Sequence, residues 1–284
     1  MQLDTSQLIK LALTEDLGAR GDITTSALVP QDATATAHFV NRKPGAIAGI
    51  EIIGQVFAAL NANVDIQYHV KDGDSVGAQT KLATVSGNAH AILKAERTAL
   101  NFVSHLSGIA TATYNMQQQI NHTKTKICDT RKTTPGWRAL EKYAVKCGGG
   151  ENHRMNLSDM VMIKDNHVAM AGGDIAMAIT KARLYTGMLA PDLLIAVEVE
   201  NLEQLKAALG ARADHIMLDN MNVDMMREAV ALAKGKAILE ATGGVTADNI
   251  VAIAETGVDF ISSGWITHSA PALDIGLDFT ENRA

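Results

Sequence analysis

The chain has 284 residues, 47% of them hydrophobic and only 4% aromatic, and 25 Lys and Arg against 31 Asp and Glu leave a formal net charge of -6. Such a length and apolar content suffice for one large α/β barrel domain or two smaller domains, so a soluble globular protein is expected. The acidic balance and scarce rings exclude a nucleic-acid surface, which needs a broad basic face and stacking side chains.

The first segment, MQLDTSQLIKLALTEDLGARGDITT, carries acids where a signal or transit peptide is basic and acid-poor, and no apolar run reaches 18 residues. Two cysteines, Cys128 and Cys147, are too few for a disulfide scaffold, and no CxxC or HExxH spacing marks a zinc site. A cytoplasmic location is expected. Residues 1–110 then read as a mixed α/β domain: a capped helix near TSQLIKLALTEDL, a strand at TATAHFVN, a helix around IEIIGQVFAAL, and short strands broken by turns at KDGD and SGNA. The stretch VKDGDSVGAQTKLATV resembles a carrier-lysine hairpin only loosely. Lys81 lacks flanking methionines, and Gly with Asp is ordinary turn chemistry. The amphipathic stretch HAILKAERTALNFVSHLSGIATATYNMQQQI follows and displays Arg97 on its polar side.

From Lys126 the pattern becomes short apolar strands alternating with helices: KICDT, VMIKD, LLIAVEVE, HIMLD, KAILEAT and VDFISSG, with helices such as WRALEKYAVKCG, LEQLKAALG and VDMMREAVALAKG between them. Alternating βα units imply a parallel sheet, and their even spacing favours a barrel. Six strands rather than eight are legible, so an irregular, incomplete parallel α/β barrel is expected over residues 111–268. Glu198, Asp219 and Glu240 follow one another at 21-residue steps, each at or near the C-terminal end of its strand. Catalytic side chains in barrels gather at those ends, where the loops open into a shared mouth. Read in order, the ends carry Arg131 and Lys132, Lys164, Glu198, Asp219, Glu240 with Thr242, and Ser262 with Gly264. A solvated rim is the competing explanation for any single member.

The segment from Thr130 to Arg154 concentrates cations, with six Lys or Arg against two Glu. Arg138, Lys142 and Lys146 recur at i, i+4 and i+8 on one helix face and read as a solvated surface stripe. Arg131 and Lys132 instead follow a strand and precede the turn-forming TTPG, His153 and Arg154 follow the glycines of GGGEN, and Lys164 ends an apolar strand. Arginine forks match planar carboxylates and lysine adds a mobile charge, so these five residues suit a small substrate with at least two negative charges. Glu198 and Asp219 would repel that substrate. Their plausible tasks are to hold a hard cation such as Mg2+ with phosphate oxygens, or to stabilise positive charge developing at a sugar carbon. The final strands end in EATGG and ISSGW, turns suited to binding phosphate through backbone N-H groups.

These residues resemble the quinolinate phosphoribosyltransferase family, the carboxylating nicotinate-nucleotide pyrophosphorylases. The likeness runs through EDLGARGDITT, ERTALNFVSHLSGIAT, TRKTTPGWRALEKYAVKCGGGENHRMNLSDMVMIKDNH, AVEVEN, IMLDN and THSAPALDIGLDF. It implies an N-terminal α/β sandwich completed by the C-terminal tail, residues 269–284, and dimers or larger assemblies in which each site borrows an arginine from the neighbouring subunit. Arg97 matches that arginine. The resemblance implies that Arg97, Arg131, His153, Arg154 and Lys164 surround the quinolinate carboxylates, that Lys132 is shared with the phosphoribosyl pyrophosphate side, and that Glu198 and Asp219 lie near the ribose and its Mg2+. Thr242, Gly243, Gly264 and His268 match the phosphate-binding turns, and Lys132, Lys164, Glu198 and Asp219 are the expected catalytic set. One departure stands out: many relatives read Ser-Ser-Gly-Gly where this chain has Ala241, Thr242, Gly243 and Gly244. Competing functions are a phosphoribosyltransferase for another base such as nicotinate, a Schiff-base lyase or aldolase using Lys164, and a catalytically silent phosphosugar-binding protein.

Overall fold

A computed structural model describes residues 5–280; positions 1–4 and 281–284, the ends of the expected N-terminal domain and of its C-terminal completion, lie outside the described residues. In chain order the elements are α1 (Ser6–Leu17), α2 (Ile23–Leu28), β1 (Thr34–Asn41), β2 (Gly45–Ala46), α3 (Ile52–Ala59), β3 (Val64–Tyr68), β4 (Ser75–Val76), β5 (Lys81–Asn88) and α4 (Ala89–Gln119). They continue with β6 (Lys126–Cys128), α5 (Arg138–Cys147), β7 (Val161–Ile163), α6 (Asp165–Met170), α7 (Ile175–Leu189), β8 (Ile195–Val199) and α8 (Leu202–Gly210). The last are β9 (His215–Asp219), α9 (Val223–Ala233), β10 (Ile238–Thr242), α10 (Ile250–Ala254), β11 (Phe260–Ser262), α11 (Trp265–His268) and β12 (Ile275–Phe279). Two compact units result. One comprises Met1–Tyr114, Ala139–Gly149 and Ser269–Ala284, the other Asn115–Arg138 and Gly150–His268. Helix α5, expected among the barrel helices, therefore groups with the first unit.

The first unit is built on an antiparallel sheet in the order β12-β1-β5-β3, with β12 aligned so that Ala37 faces Phe279 and Asn41 faces Ile275. Alternation decides which side of β1 is buried, with Ala37 and Phe39 fully enclosed and His38 between them pointing the other way. Helix α1 is present, but its expected cap is not: the Thr5 side chain makes no capping bond and its hydroxyl reaches Gln55 on α3 instead. The stretch SGNA is not a turn either, because Ser86 and Gly87 stay paired to both β1 and β3, and Asn88 to β1, before α4 begins. Cross-strand pairing on both sides outweighs the turn preference of Gly and Asn, a tertiary override of local propensity. Gly108 allows the tail to lie against α4, since a Cβ there would come within 2.3 Å of the Pro271 carbonyl oxygen.

Helix α5 corrects the reading of Arg138, Lys142 and Lys146 as a solvated stripe. Only Lys146 is exposed. Lys142 is fully buried, as is its neighbour Glu141, which meets His105 Nε2 at 2.9 Å. Arg138, at the helix start, spends its guanidinium on the Thr133 hydroxyl at 3.0 Å, the Met155 carbonyl at 3.2 Å and the Arg131 carbonyl at 3.4 Å. It is a loop clamp.

The second unit holds six parallel strands in the order β6-β11-β10-β9-β8-β7. The last strand pairs with the first, as in a barrel, and the ladder is open between β6 and β7. The strands are short apolar runs because both faces are covered: Ile127, Val197, Ile216, Leu218 and Ile261 are fully buried. At the open seam Glu151 forms a parallel bridge with Cys128, its N-H donating to the Ile127 carbonyl at 2.7 Å while its carbonyl accepts from Asp129 N-H at 3.1 Å. Three residues on, Arg154 Nη1 donates to the Met160 carbonyl at 3.1 Å, immediately before β7. Residues 151–154 thus span the gap a further strand would fill. Helices α7, α8 and α9 start at Asp174, Asn201 and Asn222, whose side chains accept the backbone N-H of Met177, Gln204 and Met225.

Candidate active site

A cavity of about 670 Å³ opens at the C-terminal ends of the parallel strands and is lined wholly by residues of the second unit. The register puts polar side chains there: Glu198 is the last residue but one of β8, Asp219 closes β9, and Thr242 ends β10 opposite Asp219. Arg131, Lys132, His153, Arg154, Lys164, Glu198, Asp219, Thr242 and Gly243, all singled out in the sequence, line this one cavity. Gly264 and His268 are not in the lining. Gly264 instead packs against the Lys132 side chain, where a Cβ would come within 2.8 Å of Cδ and 3.2 Å of His268 Cδ2. The Thr267 hydroxyl donates to the Lys132 carbonyl at 2.7 Å. The ISSGW turn, through Gly264, and helix α11, through Thr267, therefore hold the Lys132 loop in place. Arg97 belongs to the first unit, exposed on α4.

The cationic side is under-neutralised. The Nε-H groups of Arg131 and Arg154 are buried without a hydrogen-bond partner among the described residues. The pKa of Arg154 is lowered, first by burial and then by the charge of Arg131, with Glu198 and Asp159 opposing. Two guanidiniums that repel each other in a partly dry cavity create a standing demand for an anion. Lys164 is different, because its ammonium is engaged by the Glu198 carboxylate. A Schiff-base role would want an unpaired amine, so this ion pair disfavours the lyase reading.

The anionic side is small. Asp219 Oδ1 accepts from Asn220 Nδ2 at 3.3 Å, and Asn220 N-H donates to the Thr242 carbonyl at 2.9 Å. Asn220 sits in the left-handed region with φ +53°, a conformation that asparagine tolerates better than most residues. Its side chain occupies the space a Gly243 Cβ would need, 2.3 Å from Oδ1, and Gly243 itself has φ +81°. Both constraints select glycine. The departure at Ala241 leaves the lining unchanged, since Ala241 is fully buried and Thr242 is the residue that faces the cavity.

Several lining residues carried no decisive sequence signal. Met162 and Met217 supply an apolar wall amid the charges, Thr130, Asn220 and Gly244 lie on the rim, and Ser262, already read as a strand-end residue, completes it. Only their adjacency to residues already singled out could have raised the polar ones. Behind the wall lies Glu240, completely buried, with Oε2 2.9 Å from His215 Nε2 and 3.4 Å from His153 Nε2. Burial pushes its carboxyl pKa up, but the side-chain contacts with His153 and His215 prevail and hold it at about 2. Its place as the third acid in the 21-residue series marked it as a strand-end acid, yet His215 is the first residue of β9 and gave no hint of meeting it.

Comparison with known proteins follows the same lines. The family described as "Quinolinate phosphoribosyl transferase, N-terminal domain" matches residues 22–107, and "Quinolinate phosphoribosyl transferase, C-terminal domain" matches residues 109–278. The nicotinate-nucleotide pyrophosphorylase [carboxylating] of Mycobacterium leprae is 45% identical over 277 residues, covering 95% of each chain. The probable enzyme of that name from Bacillus subtilis is 43% identical over 278 residues, covering 98% of this chain and 94% of the other. Among solved structures, the nicotinate-nucleotide pyrophosphorylase of Ehrlichia chaffeensis superposes with a TM-score of 0.92 at 41% identity, covering 99% of this chain and 100% of that one. A cation-lined cavity at the strand ends of an open six-stranded barrel, two family matches that together span most of the chain, and full-length relatives above 40% identity agree: the chain belongs to the quinolinate phosphoribosyltransferase family.

Proposed function

We propose that this chain transfers the phosphoribosyl group of phosphoribosyl pyrophosphate to the ring nitrogen of quinolinate, releasing pyrophosphate and CO2 and forming nicotinate mononucleotide, a step of de novo NAD biosynthesis. The observation that carries this reading is the pair of under-neutralised guanidiniums, Arg131 and Arg154, in a cavity lined also by His153 and Lys164. A pyridine dicarboxylate supplies the two negative charges that such a set demands. Met162 and Met217 offer polarisable surface to the flat ring between those charges.

The ring nitrogen attacks the anomeric carbon as the bond to pyrophosphate breaks. Positive charge grows on the ribose in that transition state, and Glu198 or Asp219 stabilises it from the anionic side of the cavity. Lys132, held by the ISSGW turn and α11, serves the phosphate side, and the turn at Thr242 and Gly243 offers hydroxyl and backbone N-H groups to the 5'-phosphate. After attack the ring nitrogen is cationic, and its charge stabilises the electron pair left in the ring plane at the adjacent carbon when the carboxylate departs as CO2. A proton then replaces it. The protein's main contribution is alignment of two polyanions that repel in water.

Mg2+ is the expected cofactor. Glu198 and Asp219 fit a site in which one or two carboxylates share the ion with substrate phosphates, because two acids alone do not form a closed cage. When bound, the ion neutralises the departing pyrophosphate. Arg97 fits a shared site in a homodimer or an assembly of dimers, since it is exposed on α4 while the cavity draws its lining from the second unit. A cytoplasmic location is supported by two cysteines that form no disulfide, one buried and one whose thiol pKa burial pushes up to about 12, as suits a reducing compartment. No helix among the described residues is long and apolar enough to cross a membrane.

The test is one incubation of purified protein with quinolinate, phosphoribosyl pyrophosphate and Mg2+, following nicotinate mononucleotide and CO2, beside a tube with nicotinate replacing quinolinate. Product with stoichiometric CO2 from quinolinate alone is expected. Equal turnover of nicotinate would reassign the acceptor.

A further inference from the structure

The buried group of Glu240, His215 and His153 is chemically the most unusual feature outside the reacting surface. Three potential ligand atoms lie within 4.8 Å of one another, so a metal site is the first idea to weigh. The hydrogen bonding of His153 argues against it. Its Nδ1 accepts the Arg154 backbone N-H at 2.7 Å, so Nδ1 carries no proton and the ring hydrogen of the neutral imidazole sits on Nε2, the atom that faces Glu240. A histidine that ligates through Nε2 normally donates from Nδ1 to an acceptor, the reverse of this arrangement. The nitrogen that would have to bind the ion therefore bears hydrogen.

What the group does hold is a corner of the chain. The His153 backbone N-H donates to Asp129 Oδ1 at 2.9 Å, fixing the main chain, while Glu240 fixes the ring from behind. The His153 and His215 rings stack with centroids 5.6 Å apart and 17° between their planes, which keeps both imidazole edges on the one carboxylate. Glu240 Oε2 lies 2.9 Å from His215 Nε2 and 3.4 Å from His153 Nε2, so one carboxylate serves two ring edges and its hold depends on its charge. Arg154 leaves this corner to enter the cavity, and its backbone N-H is the donor to the ring that Glu240 orients.

We propose that Glu240, backed by His215, is a positioning residue for the acceptor subsite: a buried anion that keeps His153 in its Nε2-H form and so sets the corner from which Arg154 meets the substrate carboxylate. This rests on the reading that His153 and Arg154 bind quinolinate. Loss of the charge releases the ring, and Arg154 loses its aim while Glu198, Asp219 and the phosphate turn keep theirs.

The experiment compares Glu240→Gln, which keeps the shape, with wild type and with Arg154→Ala. Glu240→Gln is expected to raise KM for quinolinate by roughly ten- to hundred-fold, the equivalent of one lost charged contact, with KM for phosphoribosyl pyrophosphate within about two-fold. An unchanged quinolinate KM in Glu240→Gln, beside a raised one in Arg154→Ala, overturns the positioning role. No change in either variant overturns the substrate reading beneath it. A second measurement needs no variant to fold: nitrogen NMR of the histidine rings in the wild-type enzyme should show His153 with Nε2 protonated and Nδ1 bare. The opposite tautomer, or one equivalent of zinc retained through dialysis and lost in His215→Ala, would refute the proposal.

Discussion

Arg131 and Arg154 show how much a single charge can mean once it is partly dry. On a solvated rim each would be worth little, but here each raises the cost of the other, and only an anion relieves both. Arg154→Ala should therefore weaken quinolinate binding by about 2 to 5 kcal/mol, the usual cost of truncating one side of a desolvated charge pair. The readout is quinolinate KM at saturating phosphoribosyl pyrophosphate, and a value near wild type would remove Arg154 from the subsite. Glu240 makes a second, independent prediction. Its folded-state pKa of about 2 lies below the ordinary value near 4.5, so its contribution to stability is complete above that ordinary value and is lost as pH falls through about 2. Glu240→Gln should be less stable at neutral pH by about 3 to 5 kcal/mol, and the gap to wild type should narrow between pH 4.5 and 2 in urea titrations. A constant gap would mean that the charge is not what Glu240 supplies. The cavity cations were legible in the sequence because they sit beside turns and strand ends. The Glu240 group was not, because His153, His215 and Glu240 are separated by whole βα units and meet only when three segments are laid side by side.

Among elements, α5 shows where periodicity stops being informative. The spacing of Arg138, Lys142 and Lys146 correctly gives a helix face, but a face has no sign until something packs on it. Lys142 is buried and Lys146 exposed, so Lys142→Ala should cost more than about 2 kcal/mol in urea unfolding and Lys146→Ala less than about 0.5. Equal effects would restore the solvated stripe. The β10 turn makes the complementary point, since here glycine is demanded by a neighbour as well as by φ. An alanine at Gly243 must displace the Asn220 side chain that bonds Asp219, and it must hold φ near +81° at a cost of about 1 to 2 kcal/mol. Gly243→Ala should leave a folded protein whose kcat falls at least ten-fold. Full activity at an unchanged melting temperature would show that Asn220 and Asp219 can move independently. The sequence named this glycine as a phosphate turn, whereas the Asn220 constraint required the register of β9 against β10.

For the whole molecule, the six-strand count and the parallel pairing of the second unit could be read from hydrophobic runs and their spacing, because a strand covered on both faces must be continuously apolar, whereas the first unit read only as mixed α and β. The seam could not, since Glu151 bridges β6 as a single residue inside a glycine-rich loop. What neither unit explains alone is Arg97, a long cation exposed on α4 in a unit that contributes nothing to the cavity lining. If it serves the site of a second copy, two differently disabled chains should repair one another. Arg97→Ala lacks the donated cation but keeps the cavity, and Lys164→Ala lacks the cavity lysine but keeps Arg97. A heterodimer of the two contains one site with both defects and one site with neither, so equal mixing with random exchange should bring back about one quarter of wild-type activity from two nearly inactive parents. Exchange is verified separately by tagging one variant and recovering both chains together. Recovery of activity at that level means that the acceptor subsite is completed between subunits, whereas proven exchange without recovery would confine each site to its own chain and leave Arg97 a surface residue.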